Sequence, residues 1–201
     1  SFSAEWLNAS GKYKFRYRRV NPAGEIAYDT TAVRENGDIN ATRLEAGLYG
    51  TIERGTWNAK VYNYNSERGI PGAIVNNVWR RGERVWDTNS FFQGSFVKEV
   101  NDQFKTQVNA KYAFYRTHYV NNDDKLIEVD NLYKQREVYV STANMYTIFP
   151  FWDVSMSYDF QWNEMKADMY GFVFPTRFTN LLSIATALRL GKVKLQGSGL
   201  A

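Results

Sequence analysis

Trp152, Val154, Met156, Tyr158, Phe160 and Trp162 alternate without a break with Asp153, Ser155, Ser157, Asp159, Gln161 and Asn163. Successive side chains of a pleated strand point to opposite faces, so this stretch predicts a strand with one apolar and one wet face. Ten steps of strand span ~33 Å, or roughly 24 Å when tilted by ~45°. That is about the height of the apolar band of a membrane barrel, and a Trp stands at each edge, where aromatic girdles sit.

The rest of the chain reads as repeats of this element. Tyr13, Phe15 and Tyr17 alternate with Lys12, Lys14, Arg16 and Arg18 in a first strand, Lys12 to Val20. Asn21-Pro22-Ala23-Gly24 turns it into a second, about Glu25 to Val33. An Asn36-Gly37 hairpin signal leads to a third, about Asn40 to Glu53, with Leu44, Ala46, Leu48 and Ile52 on one side. The fourth runs from Trp57 to Tyr64, and a long loop is expected over Asn65 to Thr88. The fifth, Asn89 to Val100, has two possible phases: Phe92, Phe96 and Val100 outward with Lys98 among them, or Phe91 and Val97 outward with Glu99. The sixth, Phe104 to His118, opposes Phe104, Val108, Ala110, Tyr112 and Phe114 to Lys105, Gln107, Asn109 and Lys111. A loop over Tyr119 to Tyr133 precedes a seventh strand of ambiguous phase, Lys134 to Ile148. After the eighth, described first, comes a loop over Glu164 to Thr176, then a ninth strand, Arg177 to Leu190. A tenth begins at Val193.

Short and long connections alternate after the first hairpins. Antiparallel strands therefore gather the long ones at one end, as in outer-membrane barrels with short periplasmic turns and long extracellular loops. The expected fold class is all-β: an antiparallel up-and-down transmembrane β-barrel, of which the chain supplies about ten strands.

Composition agrees. Aromatic residues make up 16% of the chain, with 14 Tyr, 13 Phe and 6 Trp, and there are only 4 Pro. Aromatic residues favour strands and membrane interfaces. No run of 18 apolar residues exists, which excludes a transmembrane helix but not a barrel. With no Cys and one His, zinc, iron–sulfur and His-cluster sites lack ligands. A net charge of +4 is too modest to imply a nucleic-acid partner. Residues 1–10 lack the charged head and apolar run of a signal peptide, and the Gly197-Ser198-Gly199-Leu200-Ala201 end lacks an aromatic final strand. Both ends read as cut, so the expectation is an excerpt of a longer protein.

Ser66-Glu67-Arg68-Gly69-Ile70-Pro71-Gly72-Ala73, with Arg84-Val85-Trp86-Asp87, Phe92-Gln93, Tyr133 to Tyr139 and Phe174-Pro175-Thr176-Arg177, resembles the barrel of TonB-dependent outer-membrane receptors. The resemblance covers most of the chain and is closer to the cobalamin-, haem- and siderophore-type branch than to the starch-type glycan importers. It implies a barrel of about 22 strands closed by an amino-terminal plug and opened by TonB with the proton-motive force. On that footing residues 1–201 are a partial transmembrane barrel, the plug and remaining strands lying outside this chain. The implied partners are the TonB energy-coupling complex, acting through that plug, a small-molecule nutrient or metal chelate, the lipid bilayer and lipopolysaccharide. The implied location is the bacterial outer membrane.

Candidate chemistry is sparse. Trp79, Arg80, Arg81, Arg84 and Trp86 fall in the longest predicted loop, where arginines and indoles suit an anionic chelate or lipid headgroup; the bland alternative is a loop packed on itself, with arginines paired to Glu83, Asp87 or lipopolysaccharide. Gly69, Pro71 and Gly72 shape backbone rather than bind. Tyr13 to Arg19 is no nucleic-acid platform, because alternation puts rings and cations on opposite faces, the rings toward lipid and the cations toward a wet lumen. Asn121, Asn122, Asp123, Asp124, Glu128 and Asp130 offer oxygens for calcium but not the spacing of an EF-hand, and a solvated loop is the better reading. His118, the only histidine, would have to serve any catalytic dyad, yet no nucleophile elbow accompanies it. Lys105, Lys111, Arg43, Glu45, Asp153 and Asp159 face the lumen and are expected to pair across strands or with a plug. The expected function is uptake of a scarce nutrient of iron-chelate, haem or cobalamin type, without a cofactor, a bound metal or catalysis. Two alternatives stay open: a soluble β-sandwich carbohydrate-binding module, and a small outer-membrane barrel enzyme.

Overall fold

The computed structural model describes residues 1–72, 82–122 and 128–201. The strands, in chain order, are β1 (Phe2–Ala9), β2 (Tyr13–Val20), β3 (Ile26–Arg34), β4 (Ile39–Ile52), β5 (Gly55–Ile70), β6 (Glu83–Glu99), β7 (Phe104–Asn121), β8 (Val129–Phe149), β9 (Trp152–Ala167), β10 (Thr176–Leu190) and β11 (Val193–Leu200). Nine of them form one antiparallel sheet in the order β1-β4-β5-β6-β7-β8-β9-β10-β11, each strand beside its neighbour in an up-and-down meander. The sheet is not closed: β1 and β11 are its edges. The chain is all-β and antiparallel, as the alternating pattern implies.

One expectation is corrected at the outset. The segments predicted as the first two strands of the wall, β2 and β3, pair only with each other. They form a hairpin within the connection from β1 to β4, while β1 pairs with β4 from Phe2↔Ala46 to Ala9↔Ile39. The hairpin's own pattern is amphipathic enough to pass for a wall strand. Its rings group on one face (Tyr13 with Phe15 at 6.4 Å, Tyr17 with Tyr28 at 5.8 Å). Lys14, Arg16 and Arg18 occupy the other, where Arg16 lies 2.5 Å from Asp29. The separation of rings from cations is partial, since Arg19 stands opposite Tyr28 and Arg34 opposite Tyr13, and the ring face belongs to a connection and not to the apolar band of the sheet.

The sheet strands are longer than alternation shows. Strands run into all three predicted loops: β5 continues to Ile70 and β6 starts at Glu83, β7 continues to Asn121 and β8 starts at Val129, and β9 continues to Ala167 with β10 starting at Thr176. Hydrophobic alternation marks only the part of a strand with an apolar face. Beyond it both faces are polar, as in Asn63-Tyr64-Asn65-Ser66-Glu67-Arg68, yet the ladder continues to Ile70↔Glu83. All long connections, including 10–38 with its hairpin, lie at one end, and the turns at 53–54, 100–103, 150–151 and 191–192 lie at the other.

Directly paired residues share a face, so the register resolves both ambiguous phases. On β6 the apolar side carries Phe92, Phe96 and Val100, with Lys98 among them. On β8 it carries Val138, Val140, Thr142, Asn144 and Tyr146. One row crosses eight strands with no polar group but a tyrosine hydroxyl and an indole N–H: Phe2, Ala46, Val61, Phe92, Tyr112, Val138, Trp162, Phe178. No second layer covers this face among the described residues. Leu48 is 67% exposed, Phe92 52% and Met156 46%, and no large side chain is fully buried. The buried apolar residues among those described, Ala41, Val85, Ala113 and Ala167, all lie on the opposite, polar face.

Candidate functional site

At the long-connection end, β5 and β6 extend past the apolar band and the β3–β4 connection folds against them. Asn36 holds a left-handed backbone (φ 59°). Its side-chain amide donates to the carbonyls of Ile70 (3.0 Å) and Glu83 (2.8 Å), bridging the two strand ends. The approach requires a glycine at 69, since a Cβ there would lie 2.3 Å from Asn36 Oδ1 and 2.6 Å from its carbonyl oxygen. The Gly69 amide donates to the Asp38 carbonyl at 2.9 Å. Arg34, buried, donates to the carbonyls of Pro71 and Gly72.

Arg84 completes this joint. Its guanidinium donates to Asp38 (3.1 and 2.8 Å), to Glu67 (2.7 Å) and to Asn36 Oδ1 (3.3 Å). Its Nε is buried and unbonded among the described residues. The hydrogen bond from Arg84, more than their charge attraction, holds the Asp38 carboxyl below the usual carboxylate range, against a smaller opposing effect of burial. A fork occupied by two carboxylates ties the hairpin-bearing connection to the sheet and leaves little of Arg84 for an external anion.

Trp86, two residues on, shares the apolar-side parity of Arg84 and stands directly opposite Glu67 and His118. Its indole stacks on the His118 ring, centroids 5.3 Å apart, and His118 Nε2 lies 2.6 Å from Asp130 Oδ1. Trp86 also lines a shallow groove of about 290 Å³ with Asn40, Thr42, Asn65, Thr88 and Arg116. Trp79, Arg80 and Arg81 lie outside the described residues, so the structure places two of the five candidate ligand contacts. It puts both on strand β6, not in a loop.

Of the acidic loop, Asp123 and Asp124 also lie outside the described residues. Among the described residues no three His, Asp or Glu side chains converge as a metal site. His118 is bound to a carboxylate and an indole, a pair without a nucleophile in its hydrogen bonds.

The polar face carries the ion pairs expected of it. Arg43 meets Glu5 (2.9 Å), Lys60 meets Glu45 (2.9 Å), Lys105 meets Glu99 (3.2 Å), Lys111 meets Glu137 (3.0 Å) and Arg189 meets Asp153 (2.6 Å). Asp159 accepts from Tyr139. Each is a direct or diagonal cross-strand neighbour, the geometry that stabilises sheets. Near the short-turn end the same face forms an open groove of about 450 Å³, lined by Asp153, Ser155, Arg189, Lys194, Gln196 and Ser198. Such a surface suits water, a polar solute or a second polar protein surface, and it holds no acid–base pair poised on a nucleophile. Sequence reasoning missed the Arg84–Asp38 joint because its partners lie 46 residues apart, with β4 and β5 between them; the signal available was the Asn36-Gly37-Asp38 turn just before β4. No protein-family model matches the chain, and no curated protein matches it.

Proposed function

We propose that this chain is part of the wall of an outer-membrane β-barrel of the TonB-dependent receptor kind. In that reading it binds a scarce nutrient (an iron chelate, haem or cobalamin) at the cell surface and passes it inward. The carrying observation is the uncovered apolar row from Phe2 to Phe178. A contiguous apolar face crossing eight strands far exceeds the few hundred Å² that soluble monomers leave exposed, and hydrocarbon tails solvate it without cost. Polar groups on that face are paired locally: Thr106 with Asn144 (2.8 Å), Trp152 Nε1 with Thr186 (2.8 Å), Tyr158 with Asn180 (2.7 Å). Burial in lipid demands such satisfaction. Lys98 lies one residue from the end of its strand, within reach of the interface by snorkelling.

The open edges support a larger ring. β1 and β11 present unpaired backbone groups, which cannot face lipid and take further strands in a closed barrel. A β-sandwich needs a second sheet over the apolar row, which the described residues do not provide. The wet face would line the lumen, and its cross-strand ion pairs would meet a plug.

The test is cellular and physical together. The protein should fractionate with the outer membrane and resist carbonate extraction. Uptake of its nutrient should stop when the gene is deleted and when the proton gradient is dissipated. A chain that stays monomeric and folded in detergent-free buffer sinks the reading.

A further inference from the structure

Above the apolar band, one register row sets three cations side by side. Arg116 on β7 stands directly opposite Lys134 on β8, and Lys134 directly opposite Lys166 on β9. Arg136 lies two residues along β8 on the same face, opposite Glu164. All four cations are exposed. Like charges directly opposite one another destabilise a sheet. On the polar face Arg43, Lys60, Lys105, Lys111 and Arg189 are each paired, but here only Lys166 has a carboxylate, Glu164 at 3.2 Å. Arg116, Lys134 and Arg136 form no ion pair among the described residues. Of the other nearby acids on this face, Asp130 is held by His118 and Asp168 stands exposed opposite Leu132, two residues beyond Lys166. Four cations against Glu164 and Asp168 leave an excess of positive charge that an external anion would balance.

Its height says which. Arg136 stands two residues, and the Arg116–Lys134–Lys166 row four residues, beyond Val138 in the apolar row. Those are steps of about 7 and 14 Å along the strand, or roughly 5 and 10 Å of height at a ~45° tilt. Headgroup phosphates lie at that level above acyl chains. Thr88, Asn65 and Thr42 continue the row across β6, β5 and β4 with hydrogen-bonding side chains.

We propose that this patch binds the phosphates of a bisphosphorylated glycolipid of the outer leaflet, its acyl chains lying on the apolar band below. The inference rests on the reading that the apolar face meets lipid. The two arginines grip phosphate oxygens bidentately and the two lysines add point charges. The cations spread over two strand spacings, about 10 Å, which suits two phosphates better than one. The hydroxyl and amide groups of Thr88 and Asn65 then face sugar hydroxyls.

The full-length protein that carries this chain, refolded into phosphatidylcholine vesicles, would be titrated with bisphosphorylated lipid A, monophosphorylated lipid A, phosphatidylglycerol and inorganic phosphate, with bound lipid counted by native mass spectrometry. The triple variant Arg116→Gln/Lys134→Gln/Lys166→Gln is expected to bind the bisphosphorylated lipid at least tenfold more weakly. Lys14→Gln/Arg18→Gln/Lys192→Gln removes the same charge elsewhere and should change binding less than twofold. Equal binding by the first variant and the wild type overturns the proposal. So does phosphatidylglycerol binding as tightly as lipid A, or full displacement by millimolar inorganic phosphate. If the full-length protein enters vesicles but the row variant binds normally, only this inference falls; if the full-length protein never enters vesicles, the membrane reading falls with it.

Discussion

The backbone of Gly11 crosses that of Gly37 so closely that a Cβ on Gly11 would lie 1.9 Å from the Gly37 carbonyl oxygen. Gly11 also has φ +56°, where a side chain is strained whatever the space. These two residues are the entry and exit of the excursion that carries β2 and β3, so their crossing sets the direction of the hairpin. Gly11→Ala is therefore expected to displace the hairpin, at a local cost of about 1–3 kcal/mol, while leaving the nine-stranded sheet intact. Limited proteolysis should cut within 10–38 at least tenfold faster, with unchanged thermal unfolding of the sheet in detergent. Equal proteolysis rates would show that the crossing does not restrain the hairpin.

That excursion also shows where the sequence stops being informative. β9 is legible because its apolar and polar side chains alternate without a break from Trp152 to Asn163. β2 alternates just as well, but for a local reason: its rings pair with β3 and its cations with Asp29, so periodicity alone assigned it to the wall. β1 is eight residues with Leu7 and Ala9 on the polar face, and its pattern is too blurred to stand out. The upper halves of β5 to β8 are invisible to hydrophobic periodicity because backbone pairing, not apolar contact, extends them. The site suffered most. Arg84 looked like a free loop cation until the chain between β1 and β4 brought Asp38 against it.

The joint between Arg84 and Asp38 should respond to acid. The Asp38 pKa is lowered in the folded protein below its ordinary value of 3.8, chiefly by the hydrogen bond from Arg84. A lowered carboxylate contributes stability that is complete above the unfolded value and disappears as pH falls through the folded one. Docking of the β3–β4 connection should thus be constant from pH 8 to about 5 and weaken below 3.8. Asp38 is 43% exposed, so solvent screening limits the pair to about 1 kcal/mol or less. Hydrogen exchange at the Gly69 amide, which bonds to the Asp38 carbonyl, is the readout. Asp38→Asn should exchange several-fold faster at pH 7 and lose the acid dependence; an unchanged acid dependence would assign it to another group.

His118 distinguishes the transport reading from the enzyme alternative. Its contacts are structural: a stack on Trp86 and a bond to Asp130. His118→Ala should lower stability by about 0.5–1.5 kcal/mol, the worth of an aromatic pair, and leave nutrient uptake within twofold of wild type. Thermal unfolding in detergent and an uptake assay measure the two effects. A hydrolase activity that vanishes in this variant would put the protein in the other class.

The sharpest discrimination uses two nearby positions on one strand. Val140 lies mid-band on the apolar face, directly opposite Ala110 and Phe160, and is 41% exposed. Ala143, three residues along β8, is exposed on the polar face opposite Gln107 and Ser157. In water the two are equivalent: each is an open surface site, where substitution changes stability by about 0.5 kcal/mol or less. In a bilayer they are not. Arginine on the lipid face near the midplane costs about 2–4 kcal/mol, while a lumenal arginine remains hydrated. Val140→Arg should therefore lower the urea midpoint of the vesicle-inserted protein strongly, and Ala143→Arg should leave it nearly unchanged. Equal effects of the two substitutions would mean that both faces of β8 see the same solvent, and the single-layer sheet would then need a protein partner, not lipid, over its apolar side.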